Sequence, residues 1–568
     1  MNQLFAKKSL KHLLEEMAGD HRLKRVLGPV GLTALGVGAV IGAGIFVATG
    51  SAAHNTAGPA LMVSYVVAGV TCIFAALCYA EFASMAPVAG SAYTYAYTTL
   101  GELCAWIIGW DLVLEYAVGA ATVANGWSGY SQSVLAKAGL VLPFLFTGAP
   151  YKYDHGHFLP NVVAQYESVA VTQTAEEVGE GATKTSRYVW INKETKEVLG
   201  KVGDADFESK LTEKKQALCD LPAILVALLV TAVLVKGISE SAGFNAVMVA
   251  IKVAAVLFVI LVGVAYINTE NWQPFAPYGW TGLSFFGIPV VGQTNSAGQP
   301  VGMLAGAAII FFAYIGFDSV STHAEEAMNP QRDVPMAIII SLLICTVLYV
   351  AVVAVLTGMV NYKEIDVNAG VSKAFSSVGL KWADVIIAIA GIAGITSVLL
   401  VMMLSAPRVF LAMARDGLVP QKFFSDIHPK FQTPWKSTIL IGIFVCFLAG
   451  LLPIDALLHL TNIGTLFAFV VVCTAVLVMR KIDPGANRPF RCPLVPVVPV
   501  AGIALCLMLM FSLPAENWWR LIGWLAIGLV IYFCYGKHHS VLGKELRGLI
   551  QGAGASPAGT PLPPQMHS

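Results

Sequence analysis

Lys252 is the side chain whose position in this sequence most demands chemistry. It lies about ten residues into an apolar run over residues 242–267, so a rise of about 1.5 Å per residue places it roughly 15 Å deep in a bilayer. An unpaired lysine at that depth costs about 2.5–3.5 kcal/mol on insertion scales. It must find acceptors or give up its proton. Two uses are open: a charge that changes its protonation as the protein works, or a permanently charged strut. Glu115, deep in another apolar run, poses the same problem with the opposite sign. It either carries and relays a proton or is ion-paired or hydrogen-bonded as a structural group.

Backbone groups are the second source of chemistry. The stretch Gly38-Ala39-Val40-Ile41-Gly42-Ala43-Gly44-Ile45-Phe46 puts three glycines in the middle of an apolar run. Glycine weakens a helix, and a break at that depth is tolerated only where the freed amides and carbonyls line a cavity. A second interruption follows at Phe311-Phe312-Ala313-Tyr314-Ile315-Gly316-Phe317-Asp318. Opened at Ile41, Gly42, Ala43, Gly44 and Ile45, the first run presents N–H groups, which suit a carboxylate. Opened at Phe312, Ala313, Tyr314 and Ile315, the second presents carbonyls, which suit an ammonium. Together they suit a zwitterion. The plainer alternative is that the glycines only allow close helix packing.

These groups must be held by membrane-spanning helices. Of 568 residues, 57% are hydrophobic and 12% charged, and the mean hydropathy is +0.71, which excludes a soluble domain of this size. A net charge of +1 points to no nucleic acid or other charged partner. Apolar runs place twelve spans, roughly 29–50, 59–85, 100–128, 221–237, 242–267, 301–320, 335–358, 382–413, 436–452, 457–480, 495–514 and 518–536. Leu140–Phe146 is too short to count and is expected to continue or cap the third. Residues 1–28 read as a cytosolic segment rather than a signal peptide, and 537–568 as a cytosolic, disordered tail. Lys and Arg crowd alternate loops, among them Arg332, Arg408, Arg415, Arg480 and Lys481, which puts both termini in the cytosol.

The connection 147–220 then lies outside. Arg187–Ile191 and Glu197–Leu199 flank a polar turn and read as a short β-hairpin in a solvated insertion, with a lid as the other reading. Ten cysteines are scattered without CxxC or Cys/His clustering, so neither a metal site nor a disulfide framework is expected. No cofactor is called for, and no ATP-binding motif is present.

At the two interrupted runs the chain resembles the amino acid–polyamine–organocation (APC) superfamily, and within it bacterial members of the cationic amino acid transporter family. Further blocks carry the resemblance: Tyr79-Ala80-Glu81-Phe82, Gly109-Trp110-Asp111-Leu112-Val113-Leu114-Glu115-Tyr116, Glu325-Glu326-Ala327-Met328-Asn329-Pro330, Pro407-Arg408-Val409-Phe410 and Ala414-Arg415-Asp416-Gly417. They cover about residues 22–540 except the insertion. Animal members have fourteen spans, whereas this chain has room for twelve, and the insertion is longer than expected of bacterial relatives.

The resemblance implies an all-α polytopic fold with a LeuT-like five-plus-five inverted repeat. Helices 1–5 fall in 29–267, helices 6–10 in 301–480, helices one and six are broken, and two extra helices occupy 495–536. It also implies that Lys252 stands where sodium-coupled relatives hold a sodium ion against carbonyls of spans one and eight. Asp318 is expected to gate or cap. Met402 and Met403 either narrow the pocket or fill the core. Neither broken segment contains a carboxylate for a cationic side chain. The expectation is a plasma-membrane importer, in a bacterial inner membrane, for neutral and small apolar L-amino acids. Its partners are protons, the substrate and the lipid bilayer, and sodium is not required. A cationic transporter, an exchanger and a non-transporting sensor are the rivals, and a membrane enzyme lacks clustered catalytic groups.

Overall fold

The computed structural model describes residues 3–8, 27–86, 90–154, 157–166, 169–178, 185–193, 197–286, 288–295, 299–366 and 370–554. Among these, eight helices are long and apolar enough to cross a membrane, and three shorter apolar helices accompany them. The apolar stretch Pro29–Met85 is one of the eight, but it is not one straight rod. Helix α1 (Pro29–Val40) starts on a proline, whose missing N–H is no loss at a first turn. Helix α2 (residues 44–57) follows a break and is wound partly as π-helix. Gly58 then turns the chain at φ 60° into α3 (Leu61–Met85), where a Cβ would meet Pro277.

A short helix α4 (Ala92–Thr99) leads into α5 (Glu102–Lys137). The third crossing is thus longer than 100–128, and Leu140–Phe146 does not continue it but its first residue helps to cap it, the Leu140 N–H donating to Leu135 O at 2.9 Å. The chain leaves the helix at Gly139, φ 81°, and Phe144–Phe146 forms a separate turn. The long connection holds more than one hairpin. Strands β1 (Tyr151–Asp154) and β2 (His157–Pro160) pair with each other. Then β3 (Val162–Tyr166), β4 (Val169–Val178), β5 (Thr185–Asn192), β6 (Val198–Lys201) and β7 (Thr212–Gln216) form an antiparallel sheet in the order β6-β5-β4-β3-β7. The expected pair β5–β6 is one edge of it, with Trp190 opposite Gly200. Val162, Ala164, Val171, Trp190 and Phe207 give this unit its own small core.

Asp220 ends the insertion. Its carboxylate accepts from the N–H of Ala223 at 3.1 Å, capping α6 (Leu221–Lys236), while its backbone bridges Thr147. Gly237, φ 124°, closes α6 and opens α7 (Ile238–Gly263), which carries Lys252. The sixth crossing is again divided, into α8 (Met303–Ile310) and α9 (Ser319–Thr322). After it come α10 (Pro330–Met359), α11 (Lys381–Arg415), α12 (Trp435–Leu451), α13 (Ile454–Ile482), α14 (Val497–Phe511) and α15 (Ala515–Ile531). Helices α5 and α11 pack together over most of their length, while α10 packs against α1 and α3. All ten cysteines are free.

Candidate functional site

The two breaks lie back to back. Helix α1 stops because Ile41 is extended (φ −74°, ψ 105°), and α2 restarts at Gly44. After α8, a tight turn over Phe311–Tyr314 ends at Ile315, extended at φ −59° and ψ 133°. Gly316 then takes φ 116°, a conformation that side chains with a Cβ rarely adopt. A Cβ on Gly44 would lie 2.3 Å from Ala313 Cα, and one on Gly316 would lie 2.9 Å from Ala39 O. Here glycine sets how closely the two backbones approach. Ile41, Ala43, Ile45, Phe312, Ala313, Tyr314 and Ile315 are all buried beside this contact.

The freed carbonyls have identifiable donors. The Tyr349 hydroxyl, on α10, is 2.7 Å from Val40 O and 3.0 Å from Ala313 O, so one proton serves both breaks. Lys252 Nζ donates to Gly38 O at 2.5 Å and to Ile41 O at 2.8 Å, and reaches Ser397 Oγ at 3.5 Å. The ammonium therefore sits on the C-terminal, negative end of α1. Helix α11 supplies a hydroxyl to it, where the resemblance implied a carbonyl. Tyr130 donates to Phe46 O at 2.8 Å, and Thr49 and Tyr65 share a hydrogen bond of 2.7 Å.

The Tyr314 side chain turns away from the break and donates to Tyr65 O at 2.8 Å, so it is the backbone of this residue that faces the opening. Phe312 O accepts from the Ile315 N–H at 3.2 Å, and Ala313 O lies against Tyr349. Each of these two carbonyls keeps a second lone pair. From α11 it is Val398 that packs on Gly42; its Cγ2 lies 2.3 Å from where a Cβ would stand. Met402 instead fills the space beside Gly119 of α5, and Met403 is buried.

A set of carboxyl groups lies along α5. Glu115 and Asp111, one turn apart on one face, are both buried. Among the described residues Asp111's carboxyl group has no hydrogen-bond partner, and Glu115 has only the Thr465 hydroxyl beside it and no cation. Asp318 is not at the rim of the protein. It is wholly buried and accepts from the hydroxyl of Tyr116, the neighbour of Glu115. Further along, Arg408 pairs with Glu326 at 2.5 Å with both side chains buried. Leu27 exchanges backbone hydrogen bonds with Glu326 and Met328 at 3.0 and 2.9 Å. Glu81 is clasped by Arg480 at 2.7 Å and Arg488 at 3.2 Å.

Tyr349, Ser397 and Val398 are the site residues that sequence reasoning missed. A tyrosine in an otherwise apolar span was the available signal for the first. Serine and valine in such a helix carry none.

Discontinuous helices meeting inside a polytopic bundle define a membrane permease. The amino acid permease family model matches residues 27–532, and the chain belongs to that family, within the APC superfamily. It is 42% identical to a branched-chain amino acid permease of Bacillus subtilis, over 95% of this chain and 99% of that one. It is 40% identical to a methylthioribose transporter of the same organism, over 96% and 100%. A vacuolar cationic amino acid transporter of Arabidopsis thaliana is 36% identical, over 85% of this chain and 68% of that one.

Proposed function

We propose that this protein is a secondary transporter that imports neutral, small or apolar L-amino acids by sodium-independent proton symport. The observation that carries the reading is the back-to-back pair of backbone breaks, with Lys252 seated on the first. The N–H groups that begin α2 would receive the substrate carboxylate, and the lone pairs left on Phe312 O and Ala313 O would receive its ammonium. Neither opened stretch, residues 41–45 or 312–315, contains a carboxylate for a cationic side chain. The branched-chain permease among the relatives supports the same preference.

In this reading Pro29–Met85 is two passes and the three shorter apolar helices also cross. The result is twelve spans, ten of them in an inverted repeat, with both termini in the cytosol of a bacterial cell. Burial without a cation beside it makes an ionised Glu115 costly, so a proton carried in from outside makes it tolerable. Asp318 and Tyr116 stand beside it as the next acceptor. The Glu326–Arg408 pair acts as a gate on the cytosolic side.

Uptake of labelled alanine, leucine and arginine into proteoliposomes tests this, first under an inward proton gradient and then under a sodium gradient. Accumulation of leucine and alanine with protons alone is expected. Accumulation that needs sodium, or that favours arginine, defeats the reading. Glu115→Gln keeps the shape of the side chain but cannot release a proton. It should lose proton-driven accumulation while still exchanging internal for external leucine. An unchanged response to the proton gradient would remove Glu115 from the coupling.

The insertion is read as a solvated module without transport chemistry. Its entry at Thr147 and exit at Asp220 are already paired, so residues 150–215 can be removed without separating the helices they join. Leucine uptake should be unchanged by that deletion. A lost or altered rate in a normally inserted protein would make the insertion a lid.

A further inference from the structure

The segment between α7 and α8 carries an apolar hairpin that no step above uses. Strands β8 (Leu283–Phe285) and β9 (Ile288–Val291) pair antiparallel, Phe285 opposite Ile288 and Leu283 opposite Val291. Ile288 is 70% exposed and Val290 65%, and Phe285 and Val291 are also exposed. In water, such a two-stranded ribbon of β-branched residues would be a template for aggregation.

Its position is fixed by the ends of two helices. Ser284 Oγ donates to Phe511 O at 2.9 Å, and the Phe285 ring stacks on Phe511 with centroids 4.9 Å apart. The Phe286 ring lies 4.5 Å from Trp518. Phe511 is the last residue of α14 and Trp518 belongs to the first turn of α15, so the hairpin is level with the point where the chain turns at a membrane surface. Exposed apolar side chains follow along α15 at Trp519, Ile522, Ile527 and Val530.

We infer that the β8–β9 hairpin is a lipid anchor. Ile288, Val290 and Val291 dip into the acyl region of the leaflet on that side, with Trp280 and Trp519 at headgroup level. Continuity with the bilayer-facing side of α15 identifies the occupant as lipid rather than another protein, and tryptophans mark such interfaces. The anchor reaches the broken helices. Gly282 N–H donates to Val291 O at 3.2 Å, Met303 N–H to Gly279 O at 3.0 Å, and Gly302 N–H to Thr56 O at 2.8 Å. It thereby ties the start of α8 and the end of α2 to the membrane surface. The inference needs only a membrane-spanning α14–α15 pair and is independent of substrate and coupling ion.

Nitroxide labels at Ile288→Cys and, separately, Val290→Cys would test it, in protein carrying Cys534→Ser and reconstituted into phosphatidylglycerol–phosphatidylcholine vesicles. Oxygen should relax both labels more strongly than a water-soluble nickel chelate, with the opposite order at Lys363→Cys. Nickel-dominated relaxation at Ile288 and Val290 overturns the anchor. So does spin–spin broadening that disappears on dilution with unlabelled protein, which would place a second copy on the hairpin. In the unmodified protein, a membrane-partitioning carbene reagent should label the peptide spanning 283–291. Absence of label there overturns it independently of whether the variants fold.

Discussion

Lys252→Ala is expected to abolish proton-driven accumulation of leucine. The substitution withdraws both hydrogen bonds from Gly38 O and Ile41 O. Gly38 O then keeps only the Ser397 hydroxyl at 3.4 Å and Ile41 O loses its lysine donor, and a buried acceptor left without a partner costs about 1–3 kcal/mol. Lys252→Met separates the roles of charge and volume, because it refills the space without a donor. If Lys252 couples protons to transport, the methionine variant should still exchange internal for external leucine, more slowly, yet fail to accumulate it under a proton gradient. If Lys252 is only a strut, exchange and accumulation should fall together and the protein should melt earlier. Accumulation at the wild-type level in either variant would refute a role for Lys252 in the site altogether. The assay needs only proteoliposomes loaded with or without internal leucine, so both readings are distinguished in one preparation.

Gly44→Ala is the second change with a large expected effect, though it adds a single carbon. That carbon would stand 2.3 Å from Ala313 Cα and 2.5 Å from Ala313 Cβ. A backbone atom cannot swing aside as a side-chain tip can, so α2 and the Phe311–Tyr314 turn must move apart. Overpacking of this kind costs about 1–3 kcal/mol. Spent on the bound geometry, the same amount is roughly a 5–150-fold loss of affinity. The expected result is weaker leucine binding by calorimetry with normal membrane insertion. Gly129→Ala is the control, because a Cβ there meets nothing within 4 Å and alanine favours the helix. Equal affinities for the two variants would mean that the closeness of the breaks does not shape the site.

Much of this architecture could be read in advance because a bilayer leaves few solutions. The long apolar runs had to be helices, since no water can satisfy an open backbone. Glycines at 42, 44 and 316 announced where those helices fail, and the structure does divide them there. Lys252 was conspicuous because a charge in such a run has to be answered. The division of the 147–220 connection was less legible. One hairpin carried a clear turn, whereas β3 pairs with β7, Val162 opposite Gln216, across a distance in sequence that turn chemistry does not encode. Leu140–Phe146 was legible only at its start, where Leu140 caps the helix; apolar composition did not show that Val141 and Leu145 would lie exposed in a loop.

The sequence alone determined the class of solvent and the places where the apolar helices open, because each follows from local composition and conformational preference. Only tertiary structure decided what answers those openings. Residue 252 meets residues 38, 41 and 397, and Tyr349 is shared between residues 40 and 313. In a membrane, helix faces turned to lipid and to protein are alike apolar, so periodicity cannot say which helices touch or at what register. Close packing set those contacts, and with them the geometry of the site.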